Sequence, residues 1–252
     1  MTAQIIAVAN RKGGVGKTTT AVNVAAELAG RGHRVLVVDL DPQGHAGLGL
    51  DAVASRSEAT VHQVFRDGAV DLELAVKRTG VTDVDLLPAE RDFDAHGAVN
   101  DPRRLARELA VFEGRYDEIV IDTSPSIDVA TVSALTAAEY VLIPTQLHHL
   151  AYDGVVRFSA VLLKVASMVN RRFTDLAIVP VQVDIRMRMQ CFVLAKLVKE
   201  FGPKRVFRGI RTDIALAEAF GSKMPVRLYR PQSRAATDYA LLTDDILSSW
   251  RG

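Results

Sequence analysis

The stretch "IIAVANRKGGVGKTTTAVNVAAEL" at 5–28 decides the fold. It opens with a short apolar run, turns through Gly13, Gly14 and Gly16, and continues into a helical pattern over 17–30. Strand, glycine loop and helix in that order are the context of a phosphate-binding loop. The glycines let the backbone curl until its N–H groups face inward, and the helix N-terminus adds its dipole to the pull on an anion. The general pattern G-x-x-x-x-G-K-[ST] is intact at its end, Gly16-Lys17-Thr18, but Arg11 stands at its first position. On this reading the loop Gly13, Gly14, Val15, Gly16, Lys17, Thr18 and Thr19 cradles phosphates. Lys17 reaches the β- and γ-phosphates of a nucleotide, and the Thr18 hydroxyl reaches Mg²⁺. A second lysine, Lys12, precedes Lys17 in the same loop. By itself it can be a cation that raises the local potential of its own site.

Outward from the loop, β-rich apolar runs recur at 5–9, 35–40, 84–88, 118–122, 140–144 and 176–183. Helical patterns lie between and after them at 102–113, 152–169, 189–201 and 234–249. Runs that are apolar on both faces suit a buried parallel sheet, so the spacing predicts an α/β chain. Three aspartates, Asp39, Asp41 and Asp122, end or follow such runs. An isolated strand-end aspartate is more often a helix cap or a salt-bridge partner. Beside a phosphate loop, a strand-end carboxylate suits a hard cation. The polar, mixed stretch 51–65 reads as a mobile surface segment. No repeat, low-complexity tract or linker interrupts the chain, which predicts one domain over 1–252.

The chain has 252 residues, 48% hydrophobic and 24% charged, enough to bury a sizeable core. No apolar run approaches the ~20 residues of a spanning helix, and a first strand at Ile5 leaves no room for a signal peptide. The expectation is a cytoplasmic protein. Cys191 is the single cysteine, which excludes an intramolecular disulfide, a cysteine zinc cluster and an intrachain iron–sulfur cage. Net charge is +1 but unevenly spread. Residues 186–234 hold 12 lysines and arginines against 3 acidic residues. Such a bias is either a solvated face or an electrostatic footprint for a polyanion.

"KGGVGKTT" at 12–19 resembles the deviant Walker A motif of the ParA/MinD group of P-loop ATPases. The resemblance extends to "VLVVDLDPQG" at 35–44, like that family's switch I, and to "YDEIVIDTSPS" at 116–126, like its Walker B and switch II. It continues through "VLIPTQLHHLAYDGV" at 141–155, "VQVDIR" at 181–186, which falls where the family builds part of its adenine pocket, and segments at 216–226 and 233–247. It implies a mostly parallel β-sheet flanked by helices on both faces, the P-loop NTPase (deviant Walker A) fold, with ATP and Mg²⁺ as cofactors. It implies that Lys12 crosses a dimer interface to the partner's nucleotide, that Asp41 directs the attacking water, and that Asp122 holds Mg²⁺. Asp39 is assigned to the metal's hydration shell. Thr123, Ser124 and Pro125 stand where the family often has two prolines. His148 and His149, being adjacent, point in different directions and suit surface or core roles rather than a metal pair.

Within the family, the iron–sulfur branches need bridging cysteines, and Cys191 lies in a predicted helix. The membrane-binding branch ends in a basic amphipathic helix, whereas "TDYALLTDDILSSWRG" carries Asp244 and Asp245 and only Arg251 as a cation. The remaining resemblance is to small ParA/Soj-type partition ATPases. It implies a homodimer with ATP at the interface, nonspecific double-stranded DNA and a ParB-like or other stimulating adaptor as partners, no membrane, and association with the nucleoid. The candidates for phosphate-backbone contact are Lys196, Lys199, Lys204, Arg205, Arg208, Arg211, Arg227, Arg230 and Arg234. Many relatives carry a DNA-binding arginine near the position of Ala215. The alternative within the family is a MinD-like or FlhG-like positioning ATPase that acts as a protein platform.

Overall fold

Strands with two apolar faces need helices on both sides, and the computed structural model, which describes residues 3–95 and 97–250, has that arrangement. In chain order the elements are β1 (Gln4–Val8), α1 (Lys17–Ala29), β2 (Val35–Asp39), α2 (His45–Gly49), β3 (Lys77–Arg78) and β4 (Val84–Leu87). Next come α3 (Arg104–Leu109), β5 (Glu118–Asp122), α4 (Val129–Ala137), β6 (Tyr140–Gln146), α5 (His149–Val169) and β7 (Asp175–Val183). The chain continues with α6 (Arg188–Phe201), β8 (Ile210–Arg211), α7 (Ala215–Gly221), α8 (Val226–Tyr229) and α9 (Arg234–Trp250). The sheet order is β3-β4-β2-β5-β1-β6-β7-β8, parallel except for the edge pair β3 and β4.

Alternation along the strands feeds two cores. Ile5 and Ala7 of β1 enter the core under α3 to α6, while Ile6 and Val8 enter the core under α1, α2 and α7 to α9. From β1 the chain crosses to β2 on one side, and from β5 it crosses to β6 on the other. That reversal opens a crevice at the carboxyl ends of the central strands. Register sets Asp122 beside both Val8 and Asp39, so the glycine loop after β1 and two strand-end carboxylates share this edge.

The structure corrects part of the expectation for 51–65. Thr60, Val61, His62, Val64 and Phe65 are buried, and Val61–Phe65 is a 3-10 turn packed in the α3 to α6 core. The helix expected over 102–113 is α3 followed by a 3-10 turn at Ala110–Phe112. α9 buries Tyr239, Leu242, Ile246 and Trp250, with Trp250 stacked on Tyr140 at 4.5 Å between ring centroids. Its apolar face is therefore occupied by α1, α8, β8 and the start of β6; Arg251 lies outside the described residues. Among the described residues no helix is long and apolar enough to cross a membrane.

Candidate active site

The loop geometry follows from its glycines. Gly14 and Gly16 have φ of 70° and 75°, a left-handed conformation that side chains resist. Gly16 opens α1 without a side-chain cap, so the first N–H groups of the helix are left for an anion. Asn10 fixes the entrance: its Nδ2 donates to the Pro144 carbonyl at 2.8 Å and its Oδ1 accepts from Lys12 N at 3.0 Å. Lys17 is buried, and its Nζ donates to the Lys12 carbonyl at 3.2 Å. Burial lowers the Lys17 ammonium's pKa, while Asp122 and Asp41 oppose the shift.

Asp122 is fully buried, and neither carboxylate oxygen has a hydrogen-bond partner among the described residues. Burial, and then Asp39 alongside, push its pKa well above the ordinary value. A buried carboxylate that Lys17 and Thr18 offset only in part is costly, so this site suits a cation, and its hard oxygens suit Mg²⁺. Thr18 is the natural second ligand, since its hydroxyl favours the charged form of Asp122. Among the described residues no group of three or more His, Cys, Asp or Glu side chains could hold a metal. A cation here depends on Thr18 and on oxygens of a bound ligand.

Asp39 is held by the backbone of its own loop. Its Oδ1 accepts from Asp41 N at 3.2 Å, and its Oδ2 accepts from Ala46 N at 3.0 Å and Gly47 N at 3.2 Å. These bonds bracket the loop between β2 and α2. Burial raises its pKa to about 7 in spite of them. Asp41 shapes the same loop by accepting from Gln43 N at 3.0 Å, and it lines the cavity over the glycine loop. That cavity has a volume of about 930 Å³ and is bounded by Gly13 to Thr19, Asp41, His45, Gln182, Thr212 and Phe220, among others. Its size suits a nucleotide-sized ligand.

The two lysines diverge. Lys17 lines the cavity, whereas Lys12 does not. The Lys12 ammonium lies on the end of β6, 2.9 Å from Gln146 Oε1 and 2.8 Å from His148 Nε2. His149 turns the other way, edge-on to Phe192.

The basic candidates do not form one free surface. Arg205 pairs with Asp175, Arg208 with Asp245, Arg211 with Asp238, Arg227 with Glu27 and Arg230 with Glu218. Arg227 also donates to the Ala26 carbonyl, which makes it part of the packing against α1. Lys196 lies over the rings of Tyr152 and Phe192. Lys199, Lys204 and Arg234 form no ion pair among the described residues.

Sequence reasoning reached Gln146 and Gln182 only within the segments 141–155 and 181–186, without a role of their own, and it missed Asn10 and the network behind Asp122. There Thr123 Oγ1 donates to the Val8 carbonyl at 3.0 Å, and Ser124 and Ser126 both donate to Asp128, which caps α4 by accepting from Thr131 N at 2.9 Å. Only Asp128 had a readable signal, a capping residue ahead of a small-residue run.

A glycine loop on a helix N-terminus, a buried lysine and a strand-end carboxylate in want of a cation define a P-loop nucleotide-binding protein. The profile of a family described as AAA domain matches residues 3–175. The sporulation initiation inhibitor protein Soj of Bacillus subtilis is 35% identical, with 98% of this chain and 99% of Soj covered. The chromosome-partitioning ATPase Soj of Thermus thermophilus is 38% identical, with 96% of this chain and 95% of that protein covered. A crystal structure described as cobyrinic acid a,c-diamide synthase from Mycobacterium smegmatis, with bound ATP analogue and magnesium, superposes with a TM-score of 0.84. It is 32% identical, and the match covers 99% of this chain and 96% of that one. The chain belongs to the ParA/Soj family of P-loop partition ATPases.

Proposed function

We propose that the protein is a ParA-type ATPase whose ATP-bound sandwich dimer binds DNA without sequence preference and whose partner-stimulated hydrolysis releases it, segregating or positioning a cargo. The observation that carries this reading is the division of the lysines: Lys17 lines its own cavity, while the Lys12 ammonium lies outside it. Backbone N–H groups of Gly13 to Thr19 and the Lys17 ammonium bind the phosphates of ATP. Thr18 and Asp122 hold Mg²⁺, which when bound neutralises phosphate charge. Asp41, at the cavity wall, orients the attacking water. Lys12 reaches the nucleotide of the partner subunit, where a cation aimed at developing charge acts as an arginine finger does. Asp39 keeps Asp41 in place through the bonds to Asp41 N, Ala46 N and Gly47 N.

ATP that bridges two subunits converts its binding energy into dimerisation, and two basic surfaces gain avidity on DNA. Lys196, Lys199, Lys204 and Arg234, which form no close ion pair among the described residues, are the main phosphate contacts on this reading, with the charge of Arg234 partly countered by nearby Asp213. The protein works in the cytoplasm on the nucleoid with a ParB-like or other stimulating adaptor. A plasmid, a chromosome origin and a protein cluster are equally suitable cargoes. The ion pairing of five candidate arginines favours the second reading, a MinD-like platform that binds protein rather than DNA.

Product analysis with ATP and Mg²⁺ alone tests the chemistry. ADP and phosphate are expected, slowly formed by the wild type and abolished by Asp41→Ala with the ATP dimer retained. Normal hydrolysis by Asp41→Ala, or turnover only with an organic acceptor, contradicts the reading.

A further inference from the structure

We propose that Gln146 and His148 are positioning residues for Lys12, holding its ammonium on its own subunit until nucleotide and a second copy of the chain compete for it. This rests on the reading of Lys12 as the lysine that serves the partner's nucleotide. Both acceptors sit at the junction of β6 and α5, 134 and 136 residues from Lys12 in sequence, and parallel pairing of β1 with β6 brings them to the loop. An ammonium donates three hydrogen bonds and accepts none, so two of its three are made here. The contacts are exposed, and water and phosphate compete for them readily.

His148 gives this latch two states. As the cap of α5, its Nδ1 lies 3.2 Å from Ala151 N as an acceptor, while its Nε2 lies 2.8 Å from the Lys12 ammonium. A neutral imidazole has only one acceptor nitrogen. With Lys12 bound, Nε2 accepts, Nδ1 carries the proton, and Ala151 N donates instead to the His148 carbonyl at 3.0 Å. With Lys12 released, the proton passes through solvent from Nδ1 to Nε2, and Nδ1 caps the helix. The charge of the ring is unchanged, and the improved cap offsets part of the lost contact.

Gln146 ties the latch to the cavity. Lysine cannot accept, so Oε1 of Gln146 faces Lys12 and its Nε2 donates to Gln182 Oε1 at 2.7 Å. Gln182 lines the nucleotide cavity and has φ of 55°, a strained value for a side-chain-bearing residue, at the irregularity in β7 between Val181 and Val183. Its carbonyl accepts from Gln190 Nε2 at 3.3 Å, on the first turn of α6. A ligand that shifts Gln182 therefore loosens one of the two holds on Lys12 and disturbs the start of the helix that carries Lys196 and Lys199.

Two measurements test the latch. In the nucleotide-free full chain, ¹⁵N spectra of histidine should show His148 protonated at Nδ1, and Lys12→Ala should move the proton to Nε2. With a nonhydrolysable ATP analogue and Mg²⁺, Gln146→Ala combined with His148→Ser should lower the protein concentration for half-dimerisation about three- to tenfold, since bonds to a charged group are lost only from the monomer. Serine keeps an α5 cap, so the variant isolates the latch from helix stability. An unchanged tautomer in Lys12→Ala, or an unchanged dimerisation midpoint in the double variant, overturns the proposal. The tautomer is read without nucleotide, so its failure counts against the latch alone. A Lys12→Ala chain that dimerises as wild type does counts against the reading of Lys12 itself, and against the latch as a control on dimerisation.

Discussion

Asp122 is a fully buried carboxylate whose oxygens make no close hydrogen bond among the described residues, its charge favoured only by the nearby Thr18 hydroxyl and Lys17 ammonium. Asp122→Asn keeps its shape and removes the charge. The variant without nucleotide should melt at or above the wild-type temperature. Mg²⁺-ATP at about a hundredfold its Kd should stabilise the wild type by about 3 kcal/mol and the variant by well under half of that. Equal stabilisation in thermal unfolding would remove Asp122 from the metal site. His62 makes a pH test. Burial lowers its pKa from 6.5 to about 4, so the unfolded chain takes up the proton first. Stability is complete above the ordinary value and drains away as pH falls toward the folded one. Between about pH 7 and 5 the loss should be about 2 kcal/mol, read from urea midpoints, and His62→Gln should abolish this part of the dependence. Asp39 and Asp122, whose pKa values burial raises, act with the opposite sign over the same range, so the test is the difference between the two proteins: a wild-type minus His62→Gln stability that does not change with pH would show that His62 is not held neutral. The phosphate loop was legible because glycine, lysine and threonine do chemistry that their spacing displays. The bonds from Ala46 N and Gly47 N to Asp39 were not, because a strand-end carboxylate shows in sequence no sign of which backbone groups the next loop will bring to it.

The central strands were legible as elements because burial on both faces leaves continuous apolar runs. The two-residue strands β3 and β8 are too short to carry any pattern. α4 escaped because it is buried nearly all round and rich in threonine and valine, which gives no polar stripe to set a period. The 3-10 turn Val61–Phe65 escaped because His62 and Gln63 interrupt its apolar residues, although His62 packs tilted against Phe93 with ring centroids 4.3 Å apart. At this scale Asp128 is the decisive cap, since it holds Thr131 N and both Ser124 and Ser126 below the Asp122 strand end. Asp128→Ala should cost about 1 kcal/mol in urea unfolding. It should also speed hydrogen exchange at the start of α4 more than in β5. Uniform exchange with unchanged stability would show that the cap does not anchor this segment.

For the whole molecule, counting charges along 186–234 saw the cations but not most of their partners. Asp175, Asp238, Asp245 and Glu27 all lie outside that segment and reach it only through the fold. Among the described residues the basic excess therefore survives as a smaller set that includes Arg188, Lys196, Lys199, Lys204 and Arg234, which the proposed dimer would double. The measurement that tests the account most directly is binding to a random-sequence DNA duplex with ATP and Mg²⁺, with ADP and without nucleotide, at two salt concentrations, with Asp41→Ala holding the ATP state. Binding should require ATP, should be lost in Lys12→Ala, and should fall about a thousandfold or more between about 50 and 200 mM salt. An ATP dimer that forms normally and binds no DNA in any state would contradict the DNA-riding account and move the function to a protein platform.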